Sequence, residues 1–349
     1  MSGQRLTLWI IALLAIIAAI GYRMSVMRQP PPPPAPKVVF VASGSSPFWQ
    51  HAIDGAKAAA VKDNVDLTIK RPEKGENVEE QMAILGEIDT NTKLEGVAVS
   101  PIDAERQTPL INQMIRRDKR VVTFDSDAPL SDRQSYIGTN NFGAGSTCAI
   151  LVREALPEGG NIAILLANLT KQNMLDRKEG FEERLAEFAQ DEDTQDAKFE
   201  IVAELVDEGS AEKCRENIRQ VLSEHPDVAC FVGMTARHGP ILLEVLKELG
   251  KLGQIKLITF DDAEETLAGI EDGHIYATVA QDPYKYGYEA VSTLASLCRG
   301  DESGLPVVGR GSIFVDAEPI RRDNLDEFRA RLKARDEPAP TGAPKDNTT

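Results

Sequence analysis

Residues 121–127 read VVTFDSD, and this short stretch decides the fold. Val121 to Phe124 is β-branched and aromatic with no polar alternation, the pattern of a strand buried on both faces in a helix-covered parallel sheet. The run stops on Asp125, Ser126 and Asp127. In doubly wound sheets the ligand crevice lies beyond the carboxyl ends of the strands, so acids at this point face a ligand position. Working outward, similar runs occur at Val38–Ala42, Val65–Lys70, Leu94–Ser100, Asn161–Ala167, Phe199–Val206, Asp227–Gly233, Ile255–Asp261 and Ile275–Gln281, with Arg120–Asp125 among them. Amphipathic helical patterns lie between, at Trp49–Asp63, Val78–Thr90, Ala104–Arg117, Asn173–Ala189 and Pro240–Leu249. The alternation predicts an α/β protein of two similar doubly wound parallel-sheet lobes, one on each side of Gly138–Asn140.

Composition narrows the function. The 349 residues carry 55 acidic and 39 basic side chains, a formal charge of −16. Such a body repels nucleic acid phosphates and gains nothing from anionic lipid. The four cysteines, Cys148, Cys214, Cys230 and Cys298, show no metal-ligand spacing and read as small buried thiols, with a Cys214–Cys230 disulfide open if the compartment is oxidising. The four histidines, His51, His225, His238 and His274, show no such spacing either. No nucleophile with its base, no metal cluster and no Walker-type phosphate loop is visible, which argues against an enzyme and points to no catalytic residues, metal or cofactor.

At the N-terminus, Leu6 to Tyr22 is uncharged between Arg5 and Arg23, and no small-x-small cleavage site is clear. Residues 1–28 fit a signal peptide or an apolar membrane-anchoring helix. Pro30 to Pro34, Ala35 and Pro36 favour a stiff spacer over 29–36, which makes a retained anchor the better reading. The Pro-rich and Thr-rich tail over 335–349 reads as disordered.

Several landmarks stand in a specific order and spacing: Pro47, Phe48 and Trp49 with Gly55; the 121–127 run; YIGTNN at 136–141; Gln172 and Asn173 followed by RKEGF at 177–181; HPDV at 225–228; Thr259, Phe260 and Asp261; and YATVAQ at 276–281. On these residues the chain resembles the periplasmic sugar-binding proteins of the ribose-binding type, the substrate receptors of ABC importers, over about Lys37 to Asp326. The resemblance implies the type I periplasmic binding protein fold, two lobes joined by a three-strand hinge. The crossings would fall near Gly138–Asn140, Gln281–Pro283 and Gly311–Ile313. The first lobe would be 37–139 plus 283–311, and the second 140–282 plus 312–334.

The resemblance also implies roles. Phe48 and Trp49 would stack on a sugar ring unless one of them is core. Asp125 and Asp261 would accept hydrogen bonds from hydroxyls, or else cap strand ends. Arg177 would donate its planar fork to ligand oxygens or hold an acid across the cleft. Asn173 and Gln281 each offer donor and acceptor on one amide. Asp127 is a weaker ligand candidate, as are Asp103 and Asp207. The segment Thr235, Ala236, Arg237, His238 stands where many relatives place two rings and an amide, so His238 brings a titratable group there, or is a surface histidine. The implied activity is capture of a sugar, polyol or sugar acid by hinge closure in the periplasm or at the outer face of the inner membrane, as a monomer, for delivery to an ABC permease. A membrane-tethered sensor presenting its bound state to a receptor stands as the alternative. A repressor-type sensor is disfavoured, because an apolar span replaces the helix-turn-helix.

Overall fold

The computed structural model describes residues 3–27, 34–190, 197–307 and 311–336. Most of the Pro-rich spacer and of the C-terminal tail lies outside these, as does the reading of that tail as disordered. The chain divides into two compact units, Met1–Ala35 and Pro36–Thr349. The first holds helix α1 (Gly3–Met27). Its described side chains, 9–23, are all exposed. Among the described residues, no helix is long and apolar enough to cross a membrane. The anchor expected at Leu6 to Tyr22 therefore gains no support from the fold.

The second unit contains two six-stranded sheets. In the first, β1 (Lys37–Val41), β2 (Asp66–Lys70), β3 (Gly96–Val99), β4 (Arg120–Phe124), β5 (Ser135–Gly138) and β11 (Ile313–Phe314) lie in the order β11-β5-β4-β3-β1-β2. Every pairing is parallel. Helices α2 (Pro47–Lys62) and α10 (Pro283–Cys298) cover one face, and α3 (Val78–Thr90) with α4 (Ala104–Arg116) the other. The second sheet has the order β12-β10-β9-β8-β6-β7. Its strands are β6 (Gly159–Leu166), β7 (Lys198–Val206), β8 (Val228–Gly233), β9 (Lys256–Phe260), β10 (Ala277–Ala280) and β12 (Glu318–Ile320). Only β12 runs antiparallel, along β10. Helices α5 (Asn141–Ala155) and α6 (Gln172–Phe188) pack on one face. The other carries α7 (Ala211–Glu224), α8 (His238–Glu248), α9 (Glu264–Glu271) and α11 (Leu325–Asp336).

Local chemistry starts these helices where the chain leaves the sheets. Asn77, Asp103, Asn140, Ser210 and Asp282 each accept a hydrogen bond from the backbone N–H three residues on, and such a cap stabilises by about 1 kcal/mol. Helix α8 begins at His238 rather than Pro240; proline stays within the first turn, where its missing N–H breaks no helical bond.

The chain passes between the sheets three times: after β5, between β10 and α10, and between β11 and β12. The third passage covers 315–317 rather than the expected Gly311–Ile313. Ile313 and Phe314 pair with Ile137 and Gly138 and so extend the first sheet. The crossing that the resemblance implies falls earlier, and a two-residue edge strand has no periodicity by which the sequence would correct it.

Candidate functional site

The carboxyl ends of both sheets face a shared cleft of about 980 Å³. The two lobes build its floor in the same way. Asp125 follows β4 and Asp261 follows β9, and both adopt left-handed backbone, at φ 59° and 65°. Non-glycine residues rarely accept that conformation, with Asp and Asn among the more tolerant, and such outliers concentrate at functional sites. Each is pinned from the neighbouring strand. The Asp125 N–H donates to Ile137 O at 3.0 Å and the Asp261 N–H to Val279 O at 2.9 Å. Their own carbonyls accept from Tyr136 Oη at 2.9 Å and Thr278 Oγ1 at 2.7 Å.

These turns aim two buried carboxyls into the cleft. Asp125 Oδ2 accepts from Ser100 Oγ at 3.0 Å and, across the cleft, from Asn173 Nδ2 at 3.4 Å. Burial raises its pKa, opposed by Lys171 and Arg177. Burial also pushes Asp261 up to about 7, with Arg177 opposing and the charges of Asp262 and Asp125 adding. Asp261 Oδ1, Asn173 Oδ1 and Thr235 Oγ1 are buried without a hydrogen-bond partner, and these three residues line the cleft. Buried acceptors left unpaired are costly, and a ligand that donates to them removes the cost.

Arg177, buried on the first turns of α6, is held from three sides. Nε donates to Asn141 Oδ1 at 2.9 Å, Nη1 to Met234 O at 2.7 Å, and Nη2 to Gln281 Oε1 at 2.9 Å. Its guanidinium lies 4.1 Å from the Phe260 ring centroid. Gln281 Nε2 then donates to Tyr286 Oη at 3.0 Å, and that oxygen lies 2.5 Å from Thr139 Oγ1. Arg177 is thus connected to two of the three passages between the lobes.

On the aromatic wall, Phe48 is half-buried and meets Trp49 edge-on, with ring centroids 5.1 Å apart. Trp49 is 4% exposed and packs in the core beside Phe124. The Lys171 ammonium stands 5.2 Å from its ring centroid.

Of the residues singled out by sequence, Phe48, Trp49, Asp125, Asn173, Arg177, Asp261 and Gln281 all line the cleft, whereas Asp127 and His238 do not. Asp127 Oδ1 accepts from Thr123 Oγ1 at 2.6 Å and Ala128 N at 2.7 Å, and its carboxylate pairs with Arg133. It orders the turn behind Asp125. His238 is buried, with Nε2 2.8 Å from Asp207 Oδ2, and the Asp207 Oδ1 atom accepts from Gly209 N at 2.7 Å. The first turn of α8 carries it under the wall rather than into the cleft, while its neighbours Thr235, Ala236 and Arg237 reach the surface. Asp103 caps α4.

With Cys214, Asp207 and His238 form a buried group whose possible metal-ligand atoms lie within 4.8 Å of one another. Burial pushes the Cys214 thiol up to about 12, with the Asp207 charge adding to it. The Asp207 carboxylate is already engaged by His238 and Gly209, and the cluster ties the β7–α7 turn to α8. All four cysteines are free.

Sequence reasoning missed Lys171, Glu76 and Tyr286. The first two are charged residues of loops beyond the strand ends, and no local pattern shows that Lys171 is buried to 4% exposure.

Residues 37–302 match the family described as periplasmic binding protein domain. The ribose import binding protein RbsB of Escherichia coli (strain K12) is 22% identical over 263 residues, 75% of this chain and 84% of that protein. The structure of GanP, a glucose-galactose binding protein from Geobacillus stearothermophilus, superposes with a TM-score of 0.75 at 29% identity, covering 83% of this chain and 99% of that one. A solute-binding protein from Burkholderia graminis C4D1M in complex with D-arabinose gives 0.74 at 26% identity, covering 83% and 96%. Two parallel-sheet lobes, three passages between them and a polar cleft at the strand ends thus agree with the family match over three quarters of the chain, and the chain belongs to the periplasmic binding proteins.

Proposed function

We propose that this protein, a binding protein and not an enzyme, captures a neutral polyhydroxylated molecule of the sugar class in the cleft and delivers it to an ABC importer. One observation carries the reading. The floor presents the buried carboxyls of Asp125 and Asp261, with Asp261 Oδ1, Asn173 Oδ1 and the Thr235 hydroxyl unpartnered, while each nitrogen of the Arg177 guanidinium already donates to the protein. A ligand that satisfies such a floor brings hydroxyl donors. A carboxylate or phosphate would find each Arg177 nitrogen already committed and two buried carboxyls on the floor, so it gains less there than a donor of hydroxyl hydrogens. Phe48 supplies an apolar surface for the C–H face of a ring. The ribose, arabinose and glucose-galactose named for the relatives are ligands of this kind. Family membership favours a place outside the cytoplasm, which the uncharged run between Arg5 and Arg23 suits.

The test is a thermal-shift and fluorescence panel of neutral pentoses, hexoses, polyols and sugar acids. It uses the full chain with Trp9→Phe, which leaves Trp49 as the sole tryptophan. The expected result is that a neutral sugar raises Tm and titrates Trp49 emission, and that Asp261→Ala abolishes both responses. A response confined to the acids, or one that Asp261→Ala leaves intact, sinks the reading.

A further inference from the structure

The segment 168–173 leaves the second lobe after β6 and reaches across the cleft. Its own side chains shape it: Asn168 Oδ1 accepts from the N–H of Thr170 at 3.2 Å and of Lys171 at 2.9 Å, folding the strap over. On the far side it touches the first lobe at four places. Thr170 Oγ1 donates to Ile102 O at 3.1 Å, and Ala104 N donates to Thr170 O at 3.3 Å. Asn173 Nδ2 reaches Asp125. Lys171 Nζ pairs with Glu76 Oε1 at 2.9 Å. Lys171 is 4% exposed, its ammonium 5.2 Å from the centroid of the Trp49 ring.

A lysine is seldom buried so far, because its ammonium is strongly hydrated. For Lys171, the ion-pair partner Glu76 and the ring of Trp49 both belong to the opposite lobe. Opening the cleft removes both partners together and returns the ammonium to water.

We propose that Lys171 is the latch of this cleft: bridged to Glu76 and seated on Trp49, it draws the lobes together without ligand, and so sets how much of the free protein is closed. The inference rests on reading the cleft as the ligand site. It also has a consequence for affinity, since a ligand that binds the closed form is held in proportion to the fraction already closed. The latch determines binding strength without needing to touch the bound molecule.

Its test needs no ligand. In the full chain carrying Trp9→Phe, collisional quenching of Trp49 by acrylamide reads whether the ring is covered. Lys171→Met keeps the stem and removes the charge, and Glu76→Gln keeps Lys171 but weakens the bridge. Each variant is expected to raise the quenching constant about twofold or more, as an opened population exposes the ring. The double variant should go no further than the larger single effect, the non-additivity of a coupled pair. Unchanged quenching in Lys171→Met overturns the latch. A rise in Lys171→Met with none in Glu76→Gln overturns the bridge as its cause. Thermal melts of each variant confirm that the lobes remain folded. Because sugar is absent throughout, failure here leaves the sugar reading standing, and failure of the sugar panel leaves this measurement valid.

Discussion

Asp261 shows how one residue links backbone, burial and pH. Left-handed backbone at the end of β9 turns its carboxyl inward, and burial raises it to about 7. An unfolded chain ionises this group near pH 3.9, so between about 4 and 7 the ligand-free folded form holds a proton that the unfolded form has released. Its contribution to stability is therefore largest below pH 4, declines as pH rises toward 7, and is level above. If ligand hydroxyls donate to the ionised carboxylate, affinity runs the other way. Kd should rise by up to about tenfold for each pH unit below 7, with Asp125, raised in the same direction, steepening the fall. Asp261→Asn should flatten much of this profile while weakening binding at pH 8. Titration calorimetry from pH 5 to pH 8 checks it, and an unaltered profile in the variant would remove Asp261 from the site.

Among the elements, the helix pairs that flank each sheet are fixed by glycine. In the first lobe α2 and α10 cross so closely that a Cβ on Gly287 would lie 1.8 Å from Ala52 O, and one on Gly55 1.9 Å from Tyr284 O. In the second lobe α5 and α6 repeat the device: a Cβ on Gly145 would meet Arg177 O at 1.9 Å, and one on Gly180 would meet Phe142 O at 2.0 Å. The second pair holds the backbone of Arg177 and thus aims it. Gly287→Ala must part the helices and should cost about 2–4 kcal/mol, the range of severe overpacking. Gly86→Ala in α3, where a Cβ would meet nothing within 4 Å, should instead gain about 0.5–1 kcal/mol from helix propensity. Urea unfolding of the two variants separates crowding from propensity. Gly55 and Gly180 stood among the landmarks of the sequence, but the contacts that require them are with a different helix, α10 for Gly55 and α5 for Gly180.

At the scale of the whole molecule the three passages are tied by Tyr286, whose hydroxyl meets Thr139 on the first and Gln281 on the second. Thr139 Oγ1 also reaches Val315 O, on the third, at 3.4 Å. Removing that hydroxyl leaves buried groups unpaired, and Tyr286→Phe should lower stability by about 1–3 kcal/mol. The denaturation midpoint should fall with its slope unchanged, and an unshifted midpoint would show that the tie carries no load. The sequence by itself determined the two-lobed α/β architecture and most strand ends, because buried parallel strands are written as unbroken apolar runs and the ligand crevice follows their carboxyl ends. Seven of the eleven candidates named from sequence line the cleft, and Asp103, Asp127, Asp207 and His238 do not. Only the tertiary structure decided that Asp127 and His238 turn away, that β11 carries the first sheet to residue 314, and that Lys171 is buried against Glu76. Each of these depends on partners distant in the chain, and local pattern records what a segment buries but not what it is buried against.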